Sequence, residues 1–298
     1  MRVFGINIGR KPTVAILGAT GMLGSMVTKY FSDKGYPLIL YARDPIKVMA
    51  LGGWACRQTI YPADFMRGEA WYKESNEFVD LVEADYCINA IGIIKPTLQS
   101  DIQARIINSD LITYLGRIRS RPTIHASTDC VYSGKEGNYK ESHWLDAEDA
   151  YGKSKANGDF NIKLYNVMSI RASIVGEERY NQYSLLEWVR KQNGNKIQGW
   201  INHYWNGITT LQWAKIAELC IRNCWYQKGV RHFHSDRVDK YTLVQTIRDI
   251  YDISCDITPC EGPFFCDRTL ATEYPEYHAK FKIPSIQKQI EEAKGILV

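Results

Sequence analysis

Residues 13–17, Thr-Val-Ala-Ile-Leu, run directly into Gly18-Ala-Thr-Gly21-Met-Leu-Gly24. The continuous apolar run fits a parallel strand buried on both faces. After the glycines comes a helical pattern that continues to Lys34 and is stopped by Gly35. Strand, glycine-rich turn and helix in this order admit few folds. Glycines let the backbone approach a pyrophosphate, and the first turn of the following helix presents unpaired N–H groups to the anion. The chain is therefore expected to be α/β, a Rossmann-type doubly wound parallel sheet that binds a dinucleotide.

The next strand, residues 38–42 (LILYA), ends in Arg43-Asp44-Pro45. A dinucleotide fold reads the ribose 2′ position at this strand end, about 20 residues past the glycines. An acidic residue there suits NAD, whereas an arginine forks onto the 2′-phosphate of NADP. Arg43 and Asp44 are adjacent, so the register decides between them, and Lys47 is near. Residues 60–64 read as a third strand with Asp64 at its end, and residues 78–84 as an amphipathic helix. A buried strand over 85–92 ends in the small-residue turn Asn89-Ala90-Ile91-Gly92. A helix over 101–118 carries Asn108. The strand 123–126 ends in Ser127-Thr128-Asp129-Cys130-Val131-Tyr132, and the strand 166–171 closes the first half. Such alternation of strands and helices indicates a parallel sheet.

Beyond residue 173 the rhythm changes. Helices are expected over 183–193, 210–225 and 241–251. Residues 199–207 are aromatic and polar, with His203 and Trp205 among them, which suits a ligand surface. The division expected is a dinucleotide-binding domain over 1–172 and a smaller C-terminal substrate-binding part over 173–298, with the 210–225 helix packing back on the first domain. Residues 1–11 precede the first clear strand and form an arm or an extra strand.

Tyr151 and Lys155 stand four apart in Tyr-Gly-Lys-Ser-Lys, a spacing that puts both on one helical face. A free phenol has a pKa of about 10. A cation beside it favours the phenolate and tunes the pair as a general acid/base.

Composition sets the outer limits. At 298 residues, with 45% hydrophobic and 23% charged residues, the chain has the make-up of a globular protein. A net charge of +4 on scattered basic residues gives no reason to expect nucleic acid. No apolar run approaches the ~20 residues of a membrane span, and the N-terminus lacks the apolar core of a signal peptide. A cytoplasmic protein with no membrane partner is expected. Eight cysteines without a CxxC pair are read as reduced thiols, and no metal is expected.

Together these landmarks resemble the extended short-chain dehydrogenase/reductases, and most of all the dTDP-4-dehydrorhamnose reductase branch. The matching pieces are GATGMLG at 18–24, NAIG at 89–92, Asn108, STDCVYSG at 127–134, YGKSK at 151–155 and IRAS at 170–173. The motifs cover residues 13–171 in detail, and the likeness is looser beyond. The resemblance implies NADPH as cofactor, a nucleotide-diphosphate 4-keto-6-deoxy sugar as substrate, reduction of the 4-keto group in deoxysugar or polysaccharide biosynthesis, and a homodimer. It implies that Tyr151 protonates the carbonyl oxygen, that Lys155 lowers the phenol's pKa and holds the nicotinamide ribose, and that Thr128 orients the carbonyl. Gly18, Thr20, Gly21, Met22, Leu23 and Gly24 would border the pyrophosphate. Arg43 and Asp64 would border the adenosine, with Asn89, Ala90 and Ile91. Asn108 would support Lys155, and Ile174 would lie along the nicotinamide. Thr128, Asp129, Cys130, His203 and Trp205 would face the sugar.

Two departures open alternatives. Cys130 stands where the reductase branch often has tyrosine, as in enzymes that epimerise the keto sugar before reducing it. A thiolate there could remove a proton beside the ketone, with His203 as the opposing acid. Asp129 after Thr128 resembles the arrangement of nucleotide-sugar dehydratases, although Arg43 argues against the NAD they retain. A non-catalytic, dinucleotide-binding regulatory subunit is a further alternative. The intact Thr128, Tyr151 and Lys155 set speaks for an enzyme.

Overall fold

The structure, a computed structural model, describes residues 10–53, 55, 58–68 and 78–297, together with the backbone of two short strands before them. Those strands, Arg2–Val3 and Ile6–Asn7, pair antiparallel with each other and do not join the central sheet.

Seven parallel strands form that sheet. In chain order they are β1 Val14–Leu17, β2 Leu38–Ala42, β3 Thr59–Pro62, β4 Tyr86–Asn89, β5 Thr123–Ser127, β6 Val167–Arg171 and β7 Gly229–His232. Their spatial order is β7-β6-β5-β4-β1-β2-β3. The chain winds outward from β1 to β3, then returns to the other side of β1, so the topological switch point lies between β1 and β4. β1 is fully buried, as its apolar run requires. Val14 and Ile16 enter the core on one face of the sheet, and Ala15 and Leu17 the core on the other. The period-2 alternation of a strand thus feeds two hydrophobic layers.

Helix α1, Met22–Asp33, and α2, Pro45–Met49, follow β1 and β2. α3, Phe78–Glu83, precedes β4. The helix expected over 101–118 is α4, Asp101–Arg105, and α5, Leu111–Ile118, joined by a π-helical turn at Ile106–Asp110. Such turns widen the helix by one residue per turn and gather at functional sites. α6, Ala150–Asn161, carries Tyr151 and Lys155, and its N-cap Asp149 accepts the Gly152 N–H.

The later residues also build the central layers. β7 comes from beyond residue 173. Of the helices there, α7 is Leu185–Arg190, shorter than the sequence pattern suggested, and α8 is Thr210–Arg222. α8 packs along α1 and puts Trp213, Ile216 and Ala217 into the same core as Phe31. α9, Lys240–Ile250, covers a separate small core with Val175, Leu186, Leu243 and Ile247. Strands in this part went unanticipated. Lys196–Trp200 pairs in parallel with Asp256–Cys260, and His203–Trp205 lies between Val238–Asp239 and Cys266–Asp267. Among the described residues no helix is long and apolar enough to cross a membrane.

Candidate active site

The glycine turn sits at the carboxyl end of β1, beside the switch point. Gly18 adopts φ +81°, and a Cβ on it would come within 2.8 Å of Ile91 Cγ1. A Cβ on Gly24 would lie 1.9 Å from the Gly18 carbonyl oxygen. Both positions therefore demand glycine, one for its backbone conformation and the other for close packing of helix on turn. Gly21 is the N-cap of α1 and its side offers no capping group. The first N–H groups of α1, at Met22 and Leu23, therefore have no side-chain acceptor there, which leaves an anion-binding end. Thr20 and Met22 are half-buried at this mouth, while Leu23 points into the core.

At the end of β2 the two neighbours Arg43 and Asp44 are held differently. Asp44 caps α2 and its Oδ1 accepts the Ile46 N–H at 3.0 Å. Its carboxylate is thereby occupied within its own turn. Arg43 is exposed and has no hydrogen bond or ion pair among the described residues. Asp64, beyond β3, caps a short 3₁₀ turn by accepting the Met66 N–H at 3.2 Å.

On the other side of β1, Asn89 is fully buried at the end of β4. Its Oδ1 accepts the Ile91 N–H at 3.1 Å, and the Ala90 N–H donates to Leu17 O. The turn at 89–91 is thus pinned against the glycine turn. The π-helical turn presents Asn108, which clasps the following loop. Its Nδ2 donates to Ile93 O (3.1 Å) and to Ser154 Oγ (3.0 Å), and its Oδ1 accepts the Ile93 N–H (3.0 Å). Asn108 therefore ties the loop over Lys155 to the helix that bears Lys155. A Cβ on Gly92 would stand 3.2 Å from the Lys155 Nζ, so the ammonium lies against this loop.

Thr128, Tyr151 and Lys155 converge at the end of β5. Thr128 Oγ1 accepts the Cys130 N–H at 3.2 Å and donates to Asp129 Oδ1 at 3.1 Å. Burial raises the Tyr151 phenol above its ordinary range, Cys130 adds to this, and a hydrogen bond with Thr128 pulls the other way. The two hydroxyls therefore face one site. Lys155 Nζ donates to Ala126 O at 3.0 Å, and burial lowers its pKa to about 8, against the opposing pull of Asp159. The four-residue spacing predicts that Lys155 lowers the Tyr151 pKa. Instead desolvation governs both groups, because each lies in a low-dielectric interior where the charged form is disfavoured. Cys130 is pushed up to about 12, first by burial and then by Asp129. A thiol so placed is not a ready thiolate.

A buried polar cluster lies beneath these residues, and nothing in the motif spacing singled it out. Asp159, on α6, stands four residues beyond Lys155. It accepts Ser127 Oγ (2.6 Å), Ser169 Oγ (2.7 Å) and Arg171 Nη2 (2.8 Å). Arg171 Nη1 continues to Tyr132 Oη at 2.6 Å and to His232 Nε2 at 3.0 Å. Burial would raise the Asp159 carboxyl, but Arg171 and the two serines outweigh it and hold it below the usual carboxylate range. Asp159 is visible in retrospect by helical spacing, one turn past Lys155 and two past Tyr151 on the same face.

Of the C-terminal candidates, His203 Nε2 pairs with Phe264 O at 2.8 Å and its ring meets Trp200 at 4.5 Å. That nitrogen is already engaged. Trp205 is 5% exposed and packs in the small core with Val175 and Leu243, so it serves packing more than a ligand wall. Trp200, Phe264 and Phe265 are exposed aromatics of this region. Ile174 is half-buried and pairs with Ile208. Among the described residues no group of His, Cys, Asp or Glu could hold a metal ion.

A doubly wound parallel sheet with a glycine cradle at its switch point and a Tyr–Lys helix beside it defines a dinucleotide-binding α/β protein. The chain belongs to the NAD dependent epimerase/dehydratase family, whose model matches residues 14–203. Spore coat polysaccharide biosynthesis protein SpsK of Bacillus subtilis (strain 168) is 26% identical over 152 residues, 51% of this chain and 48% of that protein. The chain thus matches about half the length of this relative. Among solved structures, a dTDP-4-dehydrorhamnose reductase from Bacillus anthracis str. Ames in complex with NADP aligns over 95% of this chain and 98% of that one. Its identity is 15% and its TM-score 0.72. The Bordetella bronchiseptica enzyme WbmG in complex with NAD and UDP aligns over 98% and 97%, with 12% identity and a TM-score of 0.77. At such identities the likeness is one of fold.

Proposed function

We propose that the protein reduces the 4-keto group of a nucleotide-linked 4-keto-6-deoxy sugar with NADPH. The observation that carries this reading is the convergence of Thr128, Tyr151 and Lys155 at the carboxyl end of the sheet, beside the Gly18–Gly24 cradle. The dinucleotide would be held by that cradle, by the 89–91 turn, by Lys155 and by Arg43, and it supplies the hydride. The chain's own part is to aim two hydroxyls at the ketone oxygen, where negative charge grows. Thr128 orients that oxygen and Tyr151 gives it a proton. The high phenol pKa suits this direction, since Tyr151 holds its proton until charge builds on its partner. The B. anthracis neighbour, a dTDP-4-dehydrorhamnose reductase with NADP, and the UDP-bound Bordetella neighbour support a nucleotide sugar as the substrate class. SpsK adds support for a place in polysaccharide biosynthesis.

Simple reduction is preferred to combined epimerisation and reduction, because the Cys130 thiol is raised and His203 is tied to Phe264. The test is to offer a panel of dTDP-, UDP- and GDP-linked 4-keto-6-deoxy sugars with NADPH and to identify the product. Oxidation of NADPH with formation of a 4-hydroxy sugar is the expected result. No turnover with any member, while a partner enzyme changes activity on mixing, would favour a regulatory subunit.

The cofactor preference has its own test. Arg43→Ala should weaken NADPH binding by about 1.5–3 kcal/mol, the range for a hydrogen bond to a charged group, and leave NADH nearly unchanged. Isothermal titration of both dinucleotides measures this. Tighter binding of NADH than NADPH by the unmodified chain would refute the preference.

A further inference from the structure

One face of the sheet turns polar where α6 packs on it. His125 and Ser127 on β5 pair in register with Ser169 and Arg171 on β6. The same face elsewhere carries Ala15, Leu17, Cys87 and Val167 in one hydrophobic layer. All four polar residues are buried, and Asp159 meets Ser127, Ser169 and Arg171 from α6. A buried ion pair is weak support for a fold, because apolar groups of like volume serve as well or better. Its place here is better explained by what it touches.

The helix α6 grips three consecutive residues of one strand end, and does so with residues four apart. Tyr151 shares a hydrogen bond with Thr128, Lys155 Nζ donates to Ala126 O at 3.0 Å, and Asp159 Oδ2 accepts the Ser127 hydroxyl at 2.6 Å. Helical spacing puts the three gripping residues on one face. Arg171 and Ser169 hold the same carboxylate from β6, so Asp159 ties the strand end to its neighbour as well as to the helix.

Charge makes a second link. Burial lowers Lys155 to about 8, and the Asp159 carboxylate opposes this. The other groups around Lys155 bring little charge. His125, on β5, is lowered to about 3, first by burial and then by Lys155, so its imidazole is neutral near pH 7. Tyr151 is held protonated. The π-helical turn brings the neutral Asn108, and the loop at Gly92 brings backbone. Arg171, on β6, is spent on Asp159 itself.

We propose that Asp159 is a positioning residue of this site: it keeps the strand end from Ala126 to Thr128 in register with Tyr151 and Lys155, and supplies the negative charge that the Lys155 ammonium answers. This inference rests on the roles proposed above for Thr128, Tyr151 and Lys155.

The test compares three forms of the full chain. Asp159→Leu with Arg171→Met removes both charges together and strands neither. Ser127→Ala cuts one link and keeps the charges. In the double variant kcat/KM should fall about tenfold or more, the scale of a misplaced reacting group. Its alkaline limb should move down by on the order of one pH unit, the low end of what a nearby opposite charge supplies. Ser127→Ala should lower kcat about three- to tenfold with the limb unmoved, since the carboxylate remains. The pH dependence of NADPH binding, followed by fluorescence titration, should show the same downward shift in the double variant and needs no sugar. If the double variant does not fold, Asp159→Asn, which keeps the shape and loses the charge, reads the same limb. A loss of rate with the limb within about 0.3 pH unit of the unmodified chain would mark a merely structural role and overturn the inference. An unmodified chain that binds NADPH and reduces no keto sugar would overturn the proposed activity. The binding limb then decides for Asp159: a downward shift upholds its role, and an unmoved limb overturns it.

Discussion

Tyr151→Phe is expected to lower turnover by about 10²–10⁴, the usual scale for losing a positioned general acid, while NADPH binding changes little. The phenol is partly buried, paired with Thr128 and kept protonated by desolvation, so its hydroxyl can give a proton at this site. Phenylalanine keeps the ring and its packing and removes only the proton. Lys155 adds a pH signature. Its ammonium is lost as pH rises through about 8, because burial lowers it there from an ordinary value of 10.5. The sign follows directly. The cation that supports the site is present below about pH 8 and absent above it, so kcat/KM should fall on the alkaline side of that value. Steady-state rates for the unmodified chain and Tyr151→Phe across pH 6–10 check both statements. Equal turnover in Tyr151→Phe would remove Tyr151 from the chemistry.

Asp159→Ala should be the most damaging single change to stability near the site, at about 3–5 kcal/mol, because it strands a buried charge. Arg171 is 1% exposed, and Asp159 takes its Nε at 3.1 Å and its Nη2 at 2.8 Å. Removing the carboxylate leaves the guanidinium without its counter-charge and leaves the Ser127 and Ser169 hydroxyls without their acceptor. Replacing both members, as Asp159→Leu with Arg171→Met, should recover much of the loss, since the desolvation cost of the pair goes with them. Urea denaturation of the single and double variants measures this, and a single-variant cost below about 1 kcal/mol would show that the network bears little of the fold's stability. The pH sign is that of a carboxyl whose folded pKa is depressed. The contribution is complete above the ordinary carboxylate value of 3.8 and is lost as pH falls through the lower folded value, so the difference between the unmodified and Asp159→Ala chains should shrink in acid.

The parts of the protein that could be read along the chain are those whose physics is local. The buried strand at 14–17, the glycine turn and the helix after it are consecutive, and each sets the conformation of the next. Tyr151 and Lys155 share a face because helical geometry alone places residues four apart together. The order of strands and helices through Arg171 follows from the same rules, and with it the parallel sheet.

The tertiary structure decided everything that joins residues far apart. β7 is recruited from residues 229–232 because the open edge of β6 needs a partner, and no local pattern marks that pairing. The widened turn at Asn108 arises where the helix must clasp the loop at Ile93 and the hydroxyl of Ser154. Asp44 and Arg43 are equivalent as sequence neighbours, and only the start of α2 turns one carboxylate inward as a cap and leaves the guanidinium free. Trp205 looked like a ligand wall among aromatics, but strand alternation turned it into the small core. Tyr180 and Lys47 stand 133 residues apart and meet through a hydrogen bond that no local pattern marks. Local sequence sets backbone conformation and which residues share a face. Which faces meet is settled by burial and close packing over the whole chain, and these join residues that are far apart in sequence.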